Sequence, residues 1–318
     1  MKGYKAFEKG LVCKGKQYAE NTVFEEEKAE ICKSGMHFCE NPLDCLDYYP
    51  LIDDKGNMTE FAEVEALDEP KTDDNKKFAS KKLKIGAKLD LAGFIKASIK
   101  FVWEKCTKDI EKDSGDSAKL ASSGDYAQLA SSGNYAKLAS SGDYAKLASS
   151  GYSAQLASSG DYAQLASSGY SAKLASSGDS AQLASSGNYA QLASSGNSAQ
   201  LASSGDYAKL ASSGNYAQLA SSGDSAQLAS SGYSAKLASS GDSAQVDSKG
   251  KYAVICCAGN NSVARGKIGS WITLSEWEWS KEEDNYIPVC VKTKRIDGVK
   301  IKEDTFYRLV NGKFVEVK

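Results

Sequence analysis

The side chains most able to do chemistry cluster near the start of the chain: Cys32, His37, Cys39 and Cys45, spaced by four, one and five residues, with Cys13 upstream. Cysteine and histidine together suit zinc. The CxxC spacing of a zinc knuckle is missing, however, and His37-Phe38-Cys39 would put His37 and Cys39 on one strand face, so buried thiols are the expectation and no metal is assigned. A Cys39–His37 nucleophile pair is awkward for the same reason. A single histidine in the whole chain excludes a three-histidine zinc site. No GxxxxGK[ST] phosphate loop occurs; Gly-Lys-Ile-Gly-Ser at 266–270 is too short to count. The carboxylates are scattered among lysines without a dyad. These absences point to a non-enzymatic protein with no cofactor and no catalytic residues.

Tyrosine is the other conspicuous chemistry. Ten of the seventeen tyrosines fall at 126, 135, 144, 152, 162, 170, 189, 207, 216 and 233. Each sits in the second or the third place of a nine-residue repeat. From 115 to 249 the chain runs Gly-(Asp/Asn/Tyr)-(Tyr/Ser)-Ala-(Lys/Gln)-Leu-Ala-Ser-Ser for fifteen copies without insertion, the last reading GDSAQVDSK. A sixteenth unit, GKYAVICCA, keeps the register to 258. Such internal periodicity decides the architecture before anything else.

Helix, disordered tract and β-solenoid compete for this pattern. At 100° per residue a nine-residue step throws successive leucines onto opposite helix faces, and glycine after two serines weakens such a helix every nine residues. Disorder does not call for unbroken Ala and Leu spacing. In a strand, Ala118 and Leu120 share one face while Lys119 points away, and Ser-Ser-Gly-Asp forms a corner where glycine can take positive φ. The β-branched run Ala253–Ala258 in the degenerate copy suits a strand as well. The expectation is a mainly β protein with a central solenoid. Two copies per coil would make 7.5 coils in a rod of roughly 36 Å, at about 4.8 Å per coil. A three-copy triangular coil, the handedness and the oligomeric state stay open.

The flanks differ in composition. Residues 1–112 read as a small α+β domain, with alternating strands at 60–66 and 82–89, a helix from Asp90 to Cys106 that reaches the first coil and caps it, and a short helix opened by Asn41-Pro42. Residues 115–258 are the solenoid. Residues 259–318 read as a β-meander cap with hairpin turns at Asp297-Gly298 and Asn311-Gly312, whose own small core draws on Trp271, Trp277 and Trp279.

Composition bounds the partners. The 318 residues are 41% hydrophobic and 25% charged, with a net charge of −2. Eight Asp against six Lys between 115 and 246 form neither a phosphate-binding stripe nor a dense anionic one. Nucleic acid is therefore not expected, nor a membrane, since no apolar run nears about 20 residues. The start MKGYKAFEKG lacks a signal-peptide core, so a soluble cytoplasmic protein with reduced thiols is expected. The tyrosines have two readings: rings covering the corners and stacking from coil to coil, or a recognition surface made of Tyr126, Tyr135, Tyr144, Tyr162, Tyr189, Tyr207 and Tyr216.

The segments GYKAFEKGLVCKGKQY, ICKSGMHFCENPLDCLDYYP and FAEVEAL, the SGDYAKLASSG repeats and ICCAGNNSVARGKIGSWITLSEW together resemble an uncharacterised protein family of Gram-positive gut bacteria and their phages. That family brings no catalytic residues with it. The resemblance implies a phage or prophage setting and an accessory role against host defence. The leading expectation is a rigid binding protein engaging a protein partner such as a CRISPR nuclease or other defence effector. A structural spacer and a ligand-binding or enzymatic N-terminal domain are the alternatives, and self-association stays open.

Overall fold

A computed structural model describes all residues except 32, 54, 55, 109–114 and 318. The chain divides into two compact units, 1–105 and 106–318. The junction through which the helix was expected to cap the first coil runs through 109–114 and so lies outside the described residues.

Among the described residues the first unit holds eight strands: β1 (Lys2–Phe7), β2 (Val12–Cys13), β3 (Lys16–Gln17), β4 (Val23–Glu25), β5 (Met36–Cys39), β6 (Glu60–Ala66), β7 (Lys77–Ser80) and β8 (Lys82–Leu89). Six form an antiparallel sheet in the order β4-β8-β6-β1-β5-β7, and β2 and β3 form a separate small hairpin. The expected helix is α1 (Leu91–Lys108), capped by Asp90, whose carboxylate accepts from the Gly93 amide at 2.7 Å. Phe94, Ile95, Ser98 and Val102 are buried at helical spacing, and the Phe94 ring stacks on Phe61 of β6 at 3.9 Å. Pro42–Asp47 is a 3-10 turn opened by the Asn41 cap.

In the second unit every copy of the repeat contributes one four-residue strand. They run from β9 (Lys119–Ser122) and β10 (Gln128–Ser131) at nine-residue steps to β24 (Val254–Cys257). Each strand pairs in parallel with the one two copies away, as Leu138 does with Leu156, so a coil is 18 residues and the coil has two sheets. The parallel ladders run past the last repeat into β25 (Val263–Arg265) and the start of β26 (Trp271–Ser280), giving about nine turns over 119–274. Inside, Ala in the fourth place and Leu in the sixth are essentially fully buried from the third copy onward, while Leu120, Ala127 and Leu129 in the first two copies are partly buried. Each such leucine contributes about 1.5–3 kcal/mol by leaving water.

Three local features depart from the sequence reading. First, the repeat glycines do not adopt positive φ; in most copies that conformation falls on the third-place residue, as at Tyr144 (φ 58°) and Ser198 (φ 56°), with Tyr135, Ser153 and Ser171 among the exceptions. Glycine is required because an added Cβ at Gly187 would lie 1.8 Å from the carbonyl oxygen of Gly169, one coil earlier. Second, the paired serines are not equivalent. The first is buried, and in several copies its hydroxyl accepts from the next glycine amide, as Ser185 does from Gly187 at 3.3 Å. Third, the Lys/Gln place is solvated only on the sheet that carries Gln164 and Gln182; Gln155 and Lys173 on the other sheet are buried.

The C-terminal segment shares the solenoid's core instead of building its own. Ile272, Leu274, Ile296, Tyr307 and Leu309 join the same apolar cluster, while Trp271 and Trp279 are about half exposed. The reason is register: Trp271 pairs with Val254, in the outward fifth place, so Ile272 faces inward. β26 then turns back through a long hairpin with β27 (Asn285–Arg295), and β28 (Phe306–Val310) and β29 (Lys313–Val317) extend the other sheet. Asn311-Gly312 is the expected hairpin turn, with φ of 48° and 64°. Asp297-Gly298 instead heads a loop in which the Asp297 carboxylate accepts from the amides of Val299, Lys300 and Ile301, and Val299–Ile301 is not a strand.

Candidate functional site

The corners of each coil are built by the second and third places. In one class of corner the third-place amide donates to the second-place carbonyl of the next coil, as Tyr144 does to Asp161 at 2.8 Å. The second-place side chain is used in the same way: the Asp143 carboxylate accepts from the Asp161 amide at 2.8 Å, and Asp179, Asn197 and Asp224 repeat the contact. Asp and Asn therefore bind coil to coil. Their side-chain oxygens serve the scaffold at exposed corners, and beside them the tyrosine rings are the large apolar groups that reach solvent.

An 18-residue coil sorts the tyrosines into two edges. Tyr126, Tyr144, Tyr162 and Tyr216 stand in one column, Tyr135, Tyr189 and Tyr207 in the other. All seven are exposed, from 43% to 69%. Tyr126, Tyr144 and Tyr162 stack face to face with centroids 5.1 and 4.9 Å apart and planes within 7°. On the other edge Tyr189 stacks on Tyr207 at 5.0 Å, and the second-place Tyr152 and Tyr170 extend the run to Tyr189. A third run, Tyr216–Tyr233–Tyr252, has edge-on rings. Stacking from coil to coil and exposure hold together, so the two readings of the tyrosines are not exclusive. Tyr152, Tyr170, Tyr233 and Tyr252 belong to these runs although their places in the sequence alone did not put them in the candidate surface.

The cysteine–histidine cluster sits in the first unit. Cys32 lies outside the described residues. His37, Cys39 and Cys45 line one cavity, but no group of three His, Cys, Asp or Glu side chains able to hold a metal occurs among the described residues. Cys39 and Cys45 lie side by side, and this neighbour together with burial pushes the Cys45 thiol well up. The cavity, about 620 Å³, is dominated by groups the sequence reading did not single out. Lysines 5, 14, 16, 33 and 77 line it together with the rings of Tyr18, Tyr48 and Tyr49.

Lys5 is 4% exposed. Its ammonium donates to the His37 carbonyl at 2.8 Å and to Cys13 Sγ at 3.4 Å, and lies 5.4 Å from the ring centres of Phe7 and Tyr18. Cys13 Sγ and Tyr49 OH share a hydrogen bond at 3.1 Å. Burial pulls the His37 imidazole below its ordinary value, with Lys5 and Lys77 adding to the effect, so the ring is neutral near pH 7. Burial, with Cys13 beside them, raises the phenols of Tyr18 and Tyr49. Lys77 sits over the Tyr48 ring at 4.1 Å.

Residues 1–97 match a domain of unknown function, DUF7666. The domain so defined contains the whole lysine-lined cavity and ends within α1, ahead of the repeats. No curated protein and no solved structure matches the chain. No helix among the described residues is long and apolar enough to cross a membrane.

Proposed function

We propose that the protein is a non-enzymatic binding protein whose solenoid presents rigid runs of tyrosine to a protein partner. The observation that carries this reading is the face-to-face stacking of Tyr126, Tyr144 and Tyr162 at solvent-exposed corners. Stacked rings offer large amphipathic area with little side-chain entropy left to lose, which is why tyrosine recurs in binding hot spots. The sequence resemblance suggests the setting: a phage or prophage protein of the bacterial cytoplasm, whose partner is a host defence effector blocked sterically.

The test uses the repeat's own substitute. Serine occupies the same place with the same backbone at Ser180 and Ser198, so Tyr144, Tyr162, Tyr189 and Tyr207 can be changed to Ser together without altering the coil. Full-length wild type immobilised against lysate of a Gram-positive gut bacterium should retain a protein that the four-fold variant, with unchanged circular dichroism and melting, releases. Equal capture by both, or no specific capture by either, rejects the tyrosine runs as the binding surface and favours a spacer.

A further inference from the structure

The N-terminal cavity raises a question separate from the tyrosine runs. A buried ammonium is costly unless an opposite charge neutralises it. Lys5 is buried, yet among the described residues no carboxylate lies within ion-pair distance of it; its partners are a carbonyl, a thiol and two ring faces. Lys16, by contrast, is neutralised by Glu26 at 2.7 Å. Across the cavity five lysines face two lining carboxylates, Glu26 and Asp47, and Lys33 also lies 3.9 Å from Glu30, so an excess of positive charge remains. His37, held neutral, adds no charge of its own.

Local backbone places three of these cations at the cavity. Lys14 and Gly15 form the two-residue turn between β2 and β3, both at positive φ (49° and 76°), and this hairpin brings Cys13, Lys14 and Lys16 to the rim. Lys77 opens β7, next to β5 in the sheet, so it reaches the wall that His37 and Cys39 line. The aromatic side of the cavity is Tyr18, Tyr48 and Tyr49, and its volume is in the range that encloses most of a drug-sized ligand.

We propose that this cavity binds a nucleotide, with its phosphates against Lys5, Lys14 and Lys77 and its base against the tyrosine wall. Phosphate supplies the missing counter-charge for Lys5, and the tyrosine wall offers a planar base an aromatic surface. The site lies wholly within the DUF7666 domain and does not depend on the tyrosine-run reading.

Isothermal titration of the full-length chain tests the proposal, with ADP, GDP, CDP and UDP as probes and adenosine and pyrophosphate as controls. At least one diphosphate is expected to bind at least about tenfold more tightly than both adenosine and pyrophosphate. Lys14→Glu/Lys77→Glu, one at an exposed turn and one at the half-buried start of β7, should weaken that binding at least about tenfold in a chain that still melts cooperatively. Lys14→Arg/Lys77→Arg should retain it. If no diphosphate binds more tightly than about 1 mM, or binding survives the charge reversal, the proposal is wrong. If pyrophosphate binds as tightly as the nucleotides, the site reads an anion only and the nucleotide assignment is overturned.

Discussion

Leu183 is 1% exposed between two sheets, and Gln182 beside it points to solvent. Leu183→Asp therefore buries an unpaired carboxylate and should cost about 3–5 kcal/mol, whereas Gln182→Asp should cost less than about 1 kcal/mol; chemical denaturation of the two variants measures the difference. Glycine offers a second test at this scale. A methyl at Gly187 collides with the Gly169 carbonyl at 1.8 Å, while Gly115, in the first copy, meets nothing within 4 Å. Gly187→Ala should cost about 1–3 kcal/mol or more, and Gly115→Ala should be close to neutral in the same melts. The inward Ala and Leu were legible because a period-two pattern has only two faces to choose between. The glycine's role was not, because close approach between coils is invisible until the coil length is known. Lys5 was hidden for a different reason: among 39 basic residues nothing in its sequence neighbourhood separates a buried ammonium from a solvated one.

Strands β23 (Gln245–Ser248) and β25 show how the repeat hands over to the C-terminal segment. Asp247 replaces the repeat's outward alanine and pairs with Arg265 at 2.8 Å, and the Arg265 guanidinium lies 4.3 Å from the Phe306 ring centre in β28. Asp247 is 4% exposed. Arg265→Ala leaves that carboxylate without its counter-charge and should cost about 3–5 kcal/mol. Asp247→Ala restores the residue found in every preceding copy, so the double variant should recover much of the loss; a double-mutant cycle from urea denaturation measures it. An additive double variant would show that the two side chains do not act as a pair. At this scale the alternating runs at 60–66 and 82–89 and the capped helix after Asp90 were readable from sequence, each with periodicity and a terminal signal. The tryptophans misled, because their bulk suggests a core while the register carried over from Val254 turns Trp271 outward.

At the scale of the whole solenoid, everything proposed for the tyrosines depends on the 18-residue coil, since that length places Tyr144 directly after Tyr126 and Tyr207 directly after Tyr189. Fold class was legible because fifteen unbroken copies leave few architectures that bury Ala and Leu together. Function was less so: corner tyrosines look alike in sequence whether they only cover a turn or also meet a partner. Stability in such an array is close to a sum over neighbouring coils. Deleting residues 178–195 removes one full coil and leaves every remaining ladder in phase, shortening the array by about 4.8 Å at modest cost. Deleting 178–186 alone removes half a coil, so strands after the cut move to the opposite sheet and the long hairpin of β26 and β27 meets the wrong edge. Thermal melts of these two variants measure the coil most directly. With two copies per coil the nine-residue deletion lowers the melting temperature more than the eighteen-residue one, and equal or reversed destabilisation would contradict the two-copy coil on which the tyrosine edges rest.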